Sequence, residues 1–105
     1  MGIAADGFDW DAGNRDKCLK HGVSIAEIEH VVSHAETLIV HDAKNSVSEQ
    51  RFIAIGRTSE GRFAFVAFTP RTYDGRHLLR PISARYMHGK EVAKYEKESA
   101  SLQKR

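Results

Sequence analysis

Hydrophobic and polar residues follow a helical period in the first third of the chain and a two-residue period after it. Asp11 is placed to cap a short helix that runs to about Lys20, and Gly22 supplies a left-handed stop. A second helix follows at once, because Ser24 and Glu27 have the spacing of a capping box. The pattern therefore predicts two consecutive helices.

The second helix is predicted to be amphipathic. Val23 and Ile28 have the spacing of a hydrophobic staple across its start. Its predicted buried stripe is apolar and consists of Ile28, Val31, Val32 and Ala35. Its polar side chains are expected on a different face, and these are Glu27, His30 and His34.

From residue 37 the pattern is typical of β-strands. Four strands are predicted, at residues 37–41, 51–58, 62–69 and 77–85. They are separated by a polar loop at 42–48, a hairpin turn at 59–61 and a further turn at 70–75. Pro81 cannot donate a hydrogen bond to a neighbouring strand, so it is expected at a sheet edge or in a bulge.

The last predicted element is a helix at about residues 89–99, with Val92 and Tyr95 facing inward. The order of elements predicts an α+β fold: two N-terminal helices, a curved antiparallel sheet of about four strands and a C-terminal helix. We expect residues 1–105 to form one domain.

Composition narrows the class of protein. A chain of 105 residues with 41% hydrophobic and 29% charged residues is typical of a soluble globular domain. Its longest apolar run, at 63–68, is far shorter than a membrane span, and its N-terminus has no signal-peptide pattern, so we expect a cytoplasmic protein without membrane contact. Cys18 is the only cysteine, which excludes an internal disulfide and fits a reducing compartment.

Charge is divided unevenly along the chain. Residues 1–50 hold nine acidic and four basic residues, a net of −5, whereas residues 51–105 hold five acidic and twelve basic residues, a net of +7. A basic half favours a polyanionic partner such as nucleic acid, although a solvated surface with segregated charges is an equal alternative.

The arginines of the predicted strands are the first candidate for chemistry. Alternation puts Arg51 and Arg57 at the ends of an apolar row with Ile53 and Ile55, and puts Phe52 and Ala54 on the other face. In the last strand the same alternation puts Arg80 and Ile82 on one face. The opposite face then carries Leu79, Ser83 and Arg85. Such arginines could form a phosphate-binding concavity, since guanidinium binds phosphate through two parallel hydrogen bonds. The alternative is that they only solubilise strand ends and guard edges.

Three further features have two interpretations each. Lys20 and His21 either complement the negative end of the first helix or present an ammonium and an imidazole for acid–base work. Tyr86 is either a stacking or proton-donating group, or a buried wall residue. Cys18 with His21, and His30 with His34, have the spacing of zinc ligands. However, His30 and His34 also fit solvent-facing positions, and zinc sites usually contain more cysteines, so we expect no metal.

Several short motifs together resemble the BrnT family of bacterial toxins over about residues 8–97. They are Phe8-Asp9-Trp10-Asp11, Lys20-His21-Gly22-Val23-Ser24, Glu49-Gln50-Arg51-Phe52 leading to Ile55-Gly56, Arg80-Pro81-Ile82-Ser83-Ala84-Arg85, and Tyr95-Glu96. Pro81 and Tyr86 depart from the family pattern, which usually has an aliphatic residue and commonly a basic residue there.

The resemblance implies a compact fold similar to the RelE toxins and an RNA-cleaving toxin of a type II toxin–antitoxin pair that inhibits translation. The implied partners are RNA and a BrnA-like antitoxin, a ribbon-helix-helix protein that would form a dimer bridging two toxins. Operator DNA would be reached only through that antitoxin. No cofactor is implied.

In the implied reaction the substrate's own 2′-hydroxyl attacks the phosphate and no metal is needed. The candidate catalytic residues are Lys20, His21, Arg57, Arg80, Arg85 and Tyr86, and the candidate RNA-binding residues are Arg51, Arg62 and Arg76. His21 is the first candidate for acid or base. Glu49 is a second candidate base, unless it simply pairs with Arg51 across one strand face.

Two other functions remain open at this stage. One is a catalytically inactive RelE-like module that only binds a ribbon-helix-helix partner. The other is a nucleic-acid-binding regulator, which the acidic N-terminal helices disfavour because they would repel phosphate.

Overall fold

The computed structural model describes the backbone of residues 5–103 and the side chains of residues 5–98. The helices are α1 (Ala12–Leu19), α2 (Ile25–Ser33) and α3 (Gly89–Gln103), and a 3-10 turn covers Ala43–Asn45. The strands are β1 (Gly7–Phe8), β2 (Leu38–His41), β3 (Phe52–Arg57), β4 (Phe63–Tyr73) and β5 (Arg76–Tyr86). The predicted α+β class is confirmed. No helix of the described residues is long and apolar enough to cross a membrane.

Both N-terminal helices begin where the sequence predicts. Asp11 Oδ1 accepts a hydrogen bond from the Asn14 N–H at 3.1 Å, and Asn14 Oδ1 accepts one from the Asp11 N–H at 2.7 Å. Ser24 and Glu27 form the same reciprocal pair, at 3.1 Å in each direction. Gly22 has φ +86°, so it supplies the left-handed residue that turns the chain between the helices.

The predicted faces of α2 are wrong at two positions. Glu27 is buried, with 5% of its surface exposed, because its carboxylate reaches back to the start of the helix and contacts β5. Ala35 is exposed because α2 ends at Ser33 and the chain turns towards β2.

The sheet has five strands in the order β1-β5-β4-β3-β2, and it is mixed. All neighbours are antiparallel except β1, which runs parallel to β5. The four predicted strands are present and antiparallel to one another, and the two-residue β1, which shows no periodicity, is a fifth strand that the sequence did not predict. The predicted turn at 70–75 was wrong in extent. Strand β4 continues through Pro70, where β3 no longer pairs with it, and the turn is made by Asp74 and Gly75, which both have positive φ.

A β-bulge interrupts the β4–β5 pairing. Ala67 pairs with Ser83, but Phe68 pairs with Pro81, so Ile82 is an extra residue with no partner on β4. This confirms the bulge predicted at Pro81. It also corrects the predicted faces, because the extra residue shifts the alternation by one. Arg80 therefore lies on the same side of the sheet as Ser83 and Arg85, not opposite them.

Helices α1 and α2 cover one side of the sheet. The buried core lies there and includes Cys18, Val23, Ile28, Val31, Val32, Ala54, Ala64, Val66, Phe68, Leu79 and Ala84. The other side of the sheet carries half-buried side chains, which are Ile53 and Ile55 of β3 and Arg51 just before that strand. Helix α3 contacts the sheet through Tyr95, whose ring centroid lies 5.3 Å from that of Phe63. Tyr95 therefore faces inward, as predicted.

Gly56 provides a direct test of how β3 packs against the segment before β2. A Cβ atom at this position would lie 2.5 Å from Thr37 Oγ1, and Thr37 is itself buried. We expect Gly56→Ala to lower the free energy of unfolding by about 1–3 kcal/mol, as overpacking does. Urea denaturation measures the change. Gly89→Ala is the matched control, since nothing lies within 4 Å of its added Cβ. An equal effect of both variants would contradict the packing argument.

Candidate functional site

A concave pocket of about 430 Å³ lies on the side of the sheet opposite the core. Its floor is formed by Ile53, Phe65, Ala67 and Ser83 of the three central strands. The α1–α2 loop contributes His21, and the β2–β3 loop contributes Asp42 and Asn45. Two arginines, Arg51 and Arg85, complete the polar lining.

Arg85 is held firmly in the pocket wall. Its Nη1 and Nη2 donate to the two carboxylate oxygens of Glu91, both at 2.9 Å, and its guanidinium lies 4.5 Å from the Phe65 ring centroid. The hydrogen bonds with Glu91 raise the pKa of Arg85 and hold the pKa of Glu91 at about 2. Both groups are therefore charged at every physiological pH. Sequence reasoning missed Glu91, since nothing in its local pattern shows that the start of α3 returns to β5.

Arg51 differs from Arg85 because no described residue forms an ion pair with it. It is half-buried, and its Nε is buried without a hydrogen-bond partner among the described residues. The alternative in which Glu49 pairs with Arg51 does not hold, since Glu49 Oε2 accepts from Arg71 Nη2 at 3.1 Å. Glu49 lies in the loop before β3, and its ion-pair partner Arg71 lies on the neighbouring strand β4. Glu49 does not line the pocket.

Arg80 forms a different set of contacts, although it shares a side of the sheet with Arg85. Its Nη1 lies 3.3 Å from Asp9 Oδ2 and 3.0 Å from Asp11 Oδ2. The hydrogen bond from Arg80 lowers the pKa of the Asp11 carboxyl, which is also the cap of α1. Arg80 thus ties β5 to the start of α1 and lies outside the pocket lining.

Tyr86 lies on the helix side, where it fits the interpretation as a wall residue. Its hydroxyl donates to Glu27 Oε1 at 2.8 Å and lies 3.4 Å from the Gly22 carbonyl oxygen. The Arg62 guanidinium covers its ring at 3.5 Å from the centroid. The hydrogen bond to Glu27 raises the pKa of Tyr86. Burial favours a higher pKa for Glu27, but the hydrogen bonds from Tyr86 and the Ser24 N–H outweigh it and lower that pKa.

The remaining candidates lie outside the pocket lining. Lys20 and Arg76 are exposed, and Arg57 is exposed above the Phe63 ring at 4.6 Å. Of the candidate residues taken from the sequence, the structure brings His21, Arg51 and Arg85 together.

The zinc-like spacing does not produce a cluster of ligands. Cys18 is fully buried in the core, and burial raises the pKa of its thiol to about 11. The rings of His30 and His34 lie next to each other, with centroids 5.0 Å apart and planes tilted by 36°. Within residues 5–98 there is no group of three or more His, Cys, Asp or Glu side chains that could hold a metal ion.

Comparison with known protein families shows to which family this chain belongs. The model of one family, described as the ribonuclease toxin BrnT of type II toxin–antitoxin systems, matches residues 10–91. The chain belongs to the BrnT family. The matched segment begins before α1, ends at Glu91 and contains every lining residue of the pocket. A search of curated proteins found no match.

BrnT membership confirms the resemblance seen in the sequence and its coarser consequences. The family is one of ribonuclease toxins, so RNA is the class of substrate, and a type II system pairs the toxin with an antitoxin. The pocket is the concave surface of this BrnT chain on which His21 and two arginines meet.

Removal of the Tyr86 hydroxyl should weaken the fold. In Tyr86→Phe the buried Glu27 carboxylate loses its 2.8 Å hydrogen bond, and its Oε2 already has no partner among the described residues. We expect the free energy of unfolding to fall by about 1–3 kcal/mol, measured by urea denaturation. Tyr73→Phe is the control, because that exposed hydroxyl makes only contacts of 3.4 and 3.5 Å, and a change within about 0.5 kcal/mol is expected. Equal losses would show that the buried acceptor is unimportant.

Glu27 should also make stability depend on acid pH. Its pKa is lower in the folded protein than its ordinary value of 4.5, so its contribution is complete above that value and is lost as pH falls towards the folded pKa. Melting temperatures measured between pH 7 and pH 3 should therefore fall more steeply in the wild-type protein than in Glu27→Gln. Parallel curves would mean that Glu27 does not titrate with folding.

Proposed function

We propose that the chain is a metal-independent endoribonuclease whose active site is the pocket containing His21, Arg51 and Arg85. The observation that carries this proposal is the convergence of one imidazole and two guanidinium groups on one concave surface, in a member of a ribonuclease toxin family. A pocket of this size and composition suits a nucleotide unit with a phosphate.

The chemistry of RNA cleavage divides naturally between these groups. The 2′-hydroxyl of the substrate attacks the adjacent phosphorus and the 5′-oxygen leaves as the P–O5′ bond breaks. The protein must therefore take a proton from the 2′-hydroxyl, give one to the leaving 5′-oxygen and stabilise the negative charge on the non-bridging phosphate oxygens. Arginine cannot act as a base, and Arg51 and Arg85 are therefore assigned to charge stabilisation. His21 is assigned to proton transfer, because imidazole titrates near neutral pH.

The other candidate residues take supporting roles in this proposal. Lys20, Arg57, Arg62 and Arg76 attract and orient the RNA backbone from outside the pocket, where their effect depends on salt. Arg80 fixes β5 against α1, and Tyr86 fixes it against α2. Glu49 is unsuited to act as the base, since its carboxylate is engaged by Arg71.

The biological setting follows from the family. We infer that an antitoxin of the BrnA ribbon-helix-helix type neutralises the toxin, as a dimer bridging two toxins, and that operator DNA is bound only through it. RNA cleavage then inhibits translation in the cytoplasm. The alternative is an inactive interaction module. It is favoured by the pairing of Nη1 and Nη2 of Arg85 with Glu91, which occupies two donors that could otherwise bind a phosphate.

Cleavage of end-labelled RNA in EDTA tests the proposed site. The wild-type protein should cut RNA, and Arg85→Ala and His21→Ala should each cut at least about a hundredfold more slowly, as expected when a charge-stabilising or proton-transferring group is lost. Arg51→Ala should behave in the same way. Arg15→Ala is the matched control, because Arg15 is exposed on α1 and lies outside the pocket, and it should retain full activity.

Growth after induction separates the alternatives. The wild-type protein should arrest growth, and co-expression of its antitoxin should restore it, whereas Arg85→Ala should not arrest growth. RNA that stays intact, together with unaffected growth, would indicate the interaction module. Cleavage that occurs only with added divalent metal would contradict the metal-independent mechanism.

A further inference from the structure

Glu91 connects the first turn of α3 to the pocket through Arg85. Its two oxygens accept from Nη1 and Nη2 of Arg85 at 2.9 Å, which is a bidentate pair. The same Oε1 accepts from the His88 backbone N–H at 2.8 Å, so the carboxylate also closes the start of the helix. One side chain therefore fixes both the helix and the arginine.

These contacts leave one specific edge of the Arg85 guanidinium for a ligand. The outer edge, formed by Nη1 and Nη2, is occupied by Glu91, and Nη1 also donates to the Tyr86 carbonyl oxygen at 3.3 Å. No described residue accepts a hydrogen bond from Nε of Arg85. Because guanidinium presents its donors in a planar fork, the edge formed by Nε and Nη2 can still bind two oxygens of a phosphate.

The plane of the guanidinium is set as well as its edge. Phe65 lies beneath it at 4.5 Å, and Phe65 belongs to the pocket floor. Glu91, the Tyr86 carbonyl and the Phe65 ring thus restrain Arg85 from three directions. A long side chain that is 43% exposed would otherwise lose considerable rotamer freedom each time it bound RNA.

We propose that Glu91 is a positioning residue that holds Arg85 with its Nε–Nη2 edge ready for an RNA phosphate. This inference rests on the proposed function of the pocket and adds a residue outside it. Glu91 does not touch the RNA, so its whole effect passes through Arg85. The opposite role, a carboxylate that competes with phosphate for Arg85, predicts the opposite response to substitution.

Glu91→Gln is the informative variant. Glutamine still reaches the His88 N–H and still offers one acceptor to Arg85, so the start of α3 is retained while the charge and the bidentate pair are lost. Glu98→Gln is the matched control, since Glu98 lies on the same helix and its one ion pair among the described side chains is a 4.0 Å surface contact with Lys94. Melting temperatures of both variants verify that they are folded.

The first measurement is independent of activity. The Arg85 Nε–Hε signal in a ¹⁵N-labelled protein, assigned by its absence in Arg85→Ala, reports the order of the guanidinium. We expect its heteronuclear NOE to fall clearly in Glu91→Gln and to stay unchanged in Glu98→Gln. An equally ordered Arg85 in Glu91→Gln would overturn the proposal.

The second measurement is RNA binding and cleavage. Glu91→Gln should bind a non-cleavable 2′-O-methyl RNA about tenfold more weakly and lower kcat/KM for the cleavable RNA by about tenfold or more, while Glu98→Gln matches the wild type. In the Arg85→Ala background, Glu91→Gln should have less than about a twofold further effect, because it acts through Arg85. Faster cleavage or tighter binding by Glu91→Gln would show that Glu91 competes with phosphate and would overturn the proposal.

The two proposals can fail separately. If the wild-type protein binds the 2′-O-methyl RNA but does not cut the cleavable one, the ribonuclease function fails, while positioning by Glu91 is still decided by binding. If the wild-type protein cuts RNA and Glu91→Gln matches it in both assays, only the positioning role fails. A wild-type protein that neither binds nor cuts would overturn both.

Discussion

The pairing of β4 with β5, interrupted by the bulge at Ile82, determines which side chains of β5 face the pocket. Successive residues of a strand face opposite sides of a sheet, so a shift by one residue exchanges every side chain after it. With the bulge, Arg85 faces the pocket and Tyr86 faces Glu27 on the helix side. Without it, unbroken alternation from Arg80 would turn Arg85 towards the core and Tyr86 into the pocket. A single unpaired residue thus separates the group that can bind phosphate from the group that supports the helices.

The arginines on the pocket side of the sheet differ in whether a carboxylate of the chain neutralises their charge. This difference matters more for binding an anion than the number of arginines does. Arg71, Arg80 and Arg85 each contact carboxylates of the same chain, whereas no described carboxylate pairs with Arg51. Partly exposed ion pairs add about 0–1 kcal/mol to stability, so their main effect here is on orientation. An arginine that is already ordered loses less freedom when it binds an anion. Arg51, which has no such partner among the described residues, is the pocket arginine whose charge no carboxylate of the chain compensates.

Local signals in the sequence predicted much of the fold and part of the site. The N-cap at Asp11, the capping box of Ser24 and Glu27, the left-handed Gly22 and the irregularity near Pro81 all depend on residues within a few positions of each other. All of them are confirmed. The errors arose where distant segments meet. β1 is too short for a period, and Glu27 is buried only because Tyr86 comes from a strand far along the chain. Glu91 holds Arg85 for the same kind of reason, since the turn between β5 and α3 brings the helix start back to the strand.

Folding brings some acidic residues of the first half of the chain onto arginines of the second half. Acidic residues of the first half, Asp9, Asp11 and Glu49, contact Arg80 and Arg71 of the second half. Arg85 is compensated within its own half by Glu91. The excess of +7 in residues 51–105 therefore does not form one uniform basic surface. Arg51, Arg57 and Arg62 pair with no described carboxylate. Arg51 lies in the pocket, whereas Arg57 and Arg62 lie over aromatic rings. For the proposed function this means that the placement of charge around the pocket, where His21 and Arg85 lie, matters more for attracting a polyanion than the total charge does.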